Sequence, residues 1–428
     1  MTMKKILQRA LFFLGLIFSV SILSFGQLNY KTTWVANSGG IWNTYVPMNM
    51  IGATVNQAGI TAGVTFWEEG GRGLGLFSNE GIVTNIEWRE RAAGTNVGIN
   101  LKYVYTAGTS SIIKRPLTKT ISTLKKVEIP GLSVSANEGD VAYSLEPEIA
   151  DAFRKRMGIT GVSANELFVV AAVYQANKVY VYDTALNLLR TISVDRPYYA
   201  TPDNSGNVWV VQGADKNNTP KILEFNANGD ATGKEISGFA DPRSLQISKK
   251  GQLIVGDNGT NQQVFFYDIS NEPVLVETFG QKGGIGAGIP GQVQPEKFSG
   301  IIYAGTDSLD NLYVITDLEG AIVRRFDQDR NLVWQKYGLA FVDMADTDPY
   351  NENHIYSCEE RYLMDYSKEN GEEQEYAACT LDPYKYPDDP RIHMALDGGV
   401  WIRRINGQKF MYVGEMYSGF IFIYRFNE

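Results

Sequence analysis

Histidine and cysteine are almost missing from this 428-residue chain; each occurs twice, as His354 and His393 and as Cys358 and Cys379. That scarcity argues against a histidine-based metal site or catalytic triad. A basic excess is missing too. The 39 Lys and Arg are outnumbered by 48 Asp and Glu, for a net charge of −9. A nucleic-acid partner needs a basic face to displace counterions, so the balance argues against one. Beyond residue 26 no apolar run is long enough for the ~20 residues of a membrane span.

The one long apolar run sits at the start. Lys4, Lys5 and Arg9 precede an apolar stretch, 10–25, and Ser24-Phe25-Gly26 offers small residues at the two positions a signal peptidase reads. Residues 1–26 read as a secretory signal, with Gln27 as the mature start and 27–428 as one exported domain. A membrane anchor is the competing reading, for which the run is short. With no Cys at the cleavage point, nothing there suggests a lipid anchor. Export permits a disulfide between Cys358 and Cys379. The strand reading below puts them on the second and fourth strands of one sheet, however. Two strand spacings of ~4.8 Å exceed the ~7 Å Cα limit for a bridge.

What is abundant is repetition. The stretches 167–192, 208–236, 253–279, 312–337, 355–380 and 400–426 share one plan: an apolar run, a polar turn, a run ending in an aromatic residue and Asp or Asn, then another run. "KVYVYDTALNLLRTI", "KILEFNANGDATGKEI" and "AIVRRFDQDRNLVWQKY" show its second half. A period of about 40–45 residues with several strands per copy points to a β-propeller. The period-two alternation fits half-buried strands. Residues 63–86 and 98–117 read as two further, weaker copies. The expected fold is therefore all-β: a single closed propeller of seven to eight four-stranded blades. Thr32–Ala36 reads as a spare strand that pairs with the last blade, 400–428, and closes the ring, because an open ring leaves two sheet edges unpaired.

Proline turns at Asp195-Arg196-Pro197, Asp241-Pro242-Arg243, Gln294-Pro295 and Asp389-Pro390-Arg391 precede inner strands, since proline stops one strand before the chain enters the next blade. "NANGD" (226–230) and "DQDRN" (327–331) read as turns between third and fourth strands. The glycine-rich 280–291 reads as a long loop between blades; no Lys-Ser/Thr or helix start follows it, as a phosphate cradle requires. One segment breaks the β pattern. In 144–158, Ile149, Phe153 and Met157 share one helical face, Pro147 suits a first turn and Gly158 a stop. This predicts a short inserted amphipathic helix.

"GQLIVGDNGTNQQVFFYD" and "DNLYVITDLEGAIVRRFDQD" resemble the strand–Asp–turn–strand–Phe-Asp core of NHL-type propellers, over roughly 167–340. "FWEEGGR" (66–72), "FVDMADTDP" (341–349), "DPRIH" (389–393) and "FMYVGEMYSGFIFIYRF" (410–426) resemble segments of secreted bacterial NHL-like and gluconolactonase-like propellers without an assigned role. The chain departs from the NHL pattern at Asn261-Gln262-Gln263-Val264, where an Asn-x-Arg-Ile step belongs. The resemblance supports blade structure better than any activity.

In a propeller, the turns between second and third strands share a face with the links between blades, and function collects there. The candidate binding residues on that face are Glu68, Glu69, Arg72, Asp257, Asn258, Asp317, Glu359, Glu360, Arg361, Arg243, Asp343 and Arg391. Three readings compete for them. In the first, Glu68, Asp257, Asn258 and Asp317 converge on Ca²⁺. The gluconolactonase-like resemblance then implies a metal that polarises a lactone or ester carbonyl. Asp in a Gly-Asp-Asn-Gly step is also an ordinary turn former. In the second, aromatics such as Trp67, Tyr174, Tyr198 and Tyr199 stack on a glycan, with Glu68 or Glu69 and Glu359 or Glu360 as acid and base. Trp209 and Trp401 sit inside strands and are expected to pack between blades. In the third, the ring is a non-catalytic platform for a small molecule, glycan or protein. Arg324-Arg325 and Arg403-Arg404 are expected to be solvated.

Overall fold

The structure, a computed structural model, describes residues between 50 and 425, apart from 68–70, 88–95, 109, 119–122, 133–157, 215–217, 289–293, 318–320, 339–344, 357–359, 365–372, 379–398 and 415–420. The described residues form eight antiparallel sheets, in each of which strands consecutive in sequence are neighbours. The sheets span 50–87, 96–128, 159–193, 197–236, 242–279, 301–338, 346–378 and 400–425. Seven have four strands and the last has three. They coincide with the eight copies read from sequence.

Six of the eight make the ring, which corrects the expected seven or eight blades. Each junction between successive sheets of the first six is filled by its own apolar cluster. A sixth cluster closes the circle. Met50, Ala53, Val55 and Phe77 of blade 1 pack against Tyr303, Tyr313, Ile315, Ala321 and Val323 of blade 6. Sheets 7 and 8 contribute to none of these clusters and pack instead on each other.

The second strands show why the ring holds. In Phe168–Val173, the side chains of Val169, Ala171 and Val173 enter the cluster shared with blade 2, while Val170 and Ala172 enter the cluster shared with blade 4. Val208–Gln212 divides in the same way, with Trp209 and Val211 on one side and Val208 and Val210 on the other. A strand buried on both faces reads as a continuous apolar run rather than an alternating one. The half-buried expectation is thus wrong for these second strands, whereas an outer strand such as Leu188–Ser193 is mostly exposed and buries only Ile192.

Polar side chains add a second set of ties. Asn56, Asn100 and Asn165 occupy the same turn in blades 1, 2 and 3. Each caps its own turn through Oδ1 and donates Nδ2 to a carbonyl of the next blade: Asn100, Asn165, and Pro202 with Asp203. At the closing side, Gln246 of blade 5 donates to the carbonyls of Val55 (3.3 Å) and Thr306 (3.0 Å) and accepts from the Thr306 N–H, tying blades 5, 6 and 1 together.

Several turns stand as expected. Pro197 and Pro242 open the inner strands of blades 4 and 5. Asn226 and Asp327 each accept N–H groups two and four residues on, which shapes the outer turns. No α-helix occurs among the described residues. The helix read over 144–158 and the closing strand at 32–36 lie outside them, as do Cys358 and Cys379. No helix of the described residues is long and apolar enough to cross a membrane.

Candidate functional site at the mouth of the ring

The links between blades and the turns after second strands meet at one end of the ring. On this face, blades 4 and 5 build a polar network around one arginine. Arg243 is the second residue of the inner strand of blade 5. Its Nε donates to Asp241 Oδ2 at 2.7 Å and its Nη1 to the Tyr198 hydroxyl at 2.9 Å. The guanidinium also lies over the Tyr198 ring, 5.4 Å from its centre. Burial works against its charge, but Asp241 and Tyr198 outweigh burial and hold it firmly cationic.

Asp241 is held in turn. The Asn258 Nδ2 donates to the same carboxylate oxygen at 3.1 Å, and the Asn258 N–H donates to the Asp241 carbonyl at 2.8 Å. Gln262 fixes Asn258 by donating Nε2 to its backbone and side-chain oxygens. Gln262 itself sits at φ 50°, a left-handed conformation that a non-glycine residue adopts only where its surroundings impose it. The result is a network running Gln262–Asn258–Asp241–Arg243–Tyr198 across two blades. Its guanidinium keeps Nη2 clear of these bonds, and its side chain remains 21% exposed. In the preceding link between blades, Arg196 also has positive φ (48°), donates its N–H to Asn177 Oδ1 at 2.8 Å, and pairs with Asp195 at 2.6 Å.

Two acids stand at matching places, the last residues of the second strands of blades 5 and 6. Asp257 is fully buried. Its Oδ1 accepts the Asp241 N–H at 2.8 Å, and its Oδ2 has no hydrogen-bond partner among the described residues. Burial raises its pKa; the charge of Asp241 adds to this, and the N–H groups of Asp241, Gly259 and Ala240 oppose it. Asp317 is pushed up to about 8, by burial, against one opposing N–H from Met50 of blade 1. Its Oδ2 is likewise buried without a partner, although the residue as a whole keeps some solvent contact.

The sequence candidates therefore divide. Arg243, Asp257 and Asn258 are brought together, with Asp257 behind the network rather than at its surface. Asp317 sits one blade on, at the seam with blade 1. Arg72 lies on the third strand of blade 1, opposite Phe66. Glu360 and Arg361 lie on the third strand of sheet 7, outside the ring. Glu68, Glu69, Glu359, Asp343 and Arg391 lie outside the described residues. Among the described residues no three His, Cys, Asp or Glu gather as a metal ion would require. For the Ca²⁺ set, Asn258 Oδ1 already accepts from Gln262, and Asp257 faces backbone N–H groups.

Other sequence readings are corrected. Trp209 is buried between blades as expected, but Trp401 is 42% exposed. Arg324, expected in solvent, is buried in blade 6, where it lies 5.9 Å from the Phe298 ring centre and donates to Thr316. Asp241 and Gln262 were not among the candidates. Asp241 carried a signal, as the Asp of an Asp-Pro-Arg step; Gln262 carried none. A separate cavity of about 200 Å³ lies at the turns after first strands, lined by Lys249, Lys250, Asp307 and Asp310, and Lys250 is already paired there with Asp310 at 2.6 Å.

No protein-family model matches the chain, and no curated protein matches it. Solved structures are similar in part. A protein of unknown function from Bacteroides caccae is 11% identical with a TM-score of 0.44, covering 65% of this chain and 93% of that one. Virginiamycin B lyase from Staphylococcus aureus is 12% identical with a TM-score of 0.40, covering 75% and 92%. Hsv2 from Kluyveromyces lactis is 9% identical with a TM-score of 0.39, covering 89% and 98%. The β-propeller assignment rests on the chain's own sheets and their closure into a ring.

Proposed function

We propose that this chain is an exported, NHL-like six-bladed propeller that binds a small polar molecule or a sugar at the mouth of its ring, as a binding protein rather than a catalyst. The observation that carries the reading is the fixed guanidinium of Arg243. A side chain this long normally loses substantial rotamer entropy when it grips a ligand. Here Asp241 and Tyr198 have already ordered it, so a ligand that meets Nη2 gains a directed, charge-assisted hydrogen bond at little ordering cost. Arg, Asp, Asn and Tyr side by side supply the paired donors and acceptors that hydroxyl-rich molecules require.

The test is a thermal-shift screen of sugars and small organic acids against the mature protein, followed by calorimetry on any hit. Arg243→Ala should weaken the hit at least tenfold. Tyr198→Phe, which removes one hydrogen bond to Arg243, should weaken it less, about two- to fivefold. A hit bound equally well by Arg243→Ala would place the site elsewhere, and the reading would be abandoned.

A further inference from the structure

Sheet 8 has one face too many for a folded core. On one side, Val400, Ile402, Lys409 and Met411 are buried. The other side is not buried. Trp401, Ile405, Ile421 and Ile423 are 42%, 46%, 65% and 59% exposed. The pairing register shows that these residues form one surface. Trp401, Tyr412 and Ile423 stand in a row across the three strands, and Arg403, Phe410 and Arg425 stand in the next. Directly opposed side chains in such rows lie about 4.5–5.5 Å apart. An apolar face of this kind on an exposed sheet marks an interaction site.

Its chemistry narrows the partner. The three strands of sheet 8 contain no Asp or Glu, although the whole chain carries −9. The charges on the exposed face are Arg403 and Arg425. Arg403 is 56% exposed and shares Asp346 at 3.3 Å, and Arg425 is exposed. Arg404, on the opposite side of its strand, is turned over Tyr350 instead. The surface therefore offers an aromatic row beside an arginine row. Trp401 is positioned by Gly399, since a Cβ there would stand 2.4 Å from the indole. Two copies packed face to face would bring four arginines together with only one acid, Asp346, beside each Arg403, which like-charge repulsion penalises.

We propose that this face is a docking surface for an acidic glycan, independent of the ring mouth. The apolar C–H faces of the sugar rings lie on Trp401 and Tyr412. Their carboxylates meet Arg403 and Arg425, which stand two strand spacings, about 10 Å, apart.

Affinity electrophoresis of the full mature chain through gels containing polygalacturonate, with dextran gels as the neutral control, tests the assignment. Polygalacturonate should retard the protein and dextran should not. Trp401→Ala and Arg425→Glu should each weaken retardation at least tenfold, while Lys126→Glu, on the outer strand of blade 2, should leave it unchanged. Circular dichroism checks that the variants remain folded, and the conservative Trp401→Phe should recover part of the binding. Absence of retardation, equal retardation of the Trp401 and Arg425 variants, or loss of binding in Lys126→Glu as well would overturn it. So would a wild-type dimer by light scattering that Trp401→Ala turns into monomers, or binding to phosphatidylserine vesicles in preference to the polymer.

Discussion

Asp257 and Asp317 end the second strands of adjacent blades, and each keeps one buried oxygen without a partner among the described residues. They differ in what holds the other oxygen. Asp257 has three N–H groups working against its burial, whereas Asp317 has one, from Met50 across the ring seam. Asp317 therefore carries the larger consequence. Its folded pKa, about 8, lies well above the ~3.9 of an unfolded Asp. The folded state binds the proton more tightly, so the stabilisation is full below about pH 4 and is lost as pH rises through about 8. Stability should fall between pH 5 and pH 9, by on the order of a few kcal/mol at most, and the melting temperature should fall with it. Asp317→Asn, which stays neutral, should flatten the slope and melt above the wild type at pH 9. Equal slopes for both proteins in differential scanning calorimetry would show that burial of this carboxyl is not what the pH dependence reports.

At the scale of strands and sheets, the ion pair between sheets 7 and 8 behaves differently from those on the ring surface. Lys409 Nζ donates to Asp348 at 2.5 Å and to the Tyr356 hydroxyl at 3.0 Å, and all three residues are buried. Burial opposes both charges; Asp348 holds the ammonium up, and Lys409 and the Tyr350 N–H hold the carboxyl down. Removing one partner of such a pair costs about 3–5 kcal/mol, because the other charge stays buried. Lys409→Met should thus loosen sheets 7 and 8, read as faster amide exchange over 346–356 and 400–414 with exchange in 159–279 unchanged. The double variant Lys409→Met/Asp348→Leu should regain most of the protection. If it is as loose as the single variant, the pair is not the tie between the two sheets.

Much of this scale was legible in the residues, because strand, turn and proline signals are local. Pro242, Asn226 and Asp327 act within a few positions of themselves. What was not legible is which side of a strand finds a neighbour. Trp209 and Trp401 occupy similar strand positions; one is buried because blade 5 lies against it, the other exposed because none of the described residues covers its face of sheet 8. Arg324 is buried for the same nonlocal reason. The Arg243 network was half legible: its arginine and Asn258 came from the turn pattern, while Gln262 joins only through the tertiary fold.

At the scale of the molecule, repeat counting and ring size turn out to be separate quantities. Sequence similarity identifies a copy, but only contact between the first and last blades decides which copies close the circle. Here that contact falls between blades 1 and 6. Beyond the shared cluster, the Ser308 N–H donates to the Gln57 carbonyl and Trp334 Nε1 to the Asn79 carbonyl at 2.9 Å. With both faces of every blade covered, the ring has no unfilled junction for sheets 7 and 8 to complete. A chain ending at residue 345 should therefore fold by itself. Its far-ultraviolet circular dichroism should keep the β signature, light scattering should give a monomer, and its melting should remain a single cooperative transition, as a closed domain requires. Its melting temperature should lie within a few degrees of the ring transition of the full chain. The opposite result, an expanded or aggregating product that only the full chain rescues, would mean that sheets 7 and 8 belong to the ring after all and that the seam between blades 1 and 6 is not where it closes.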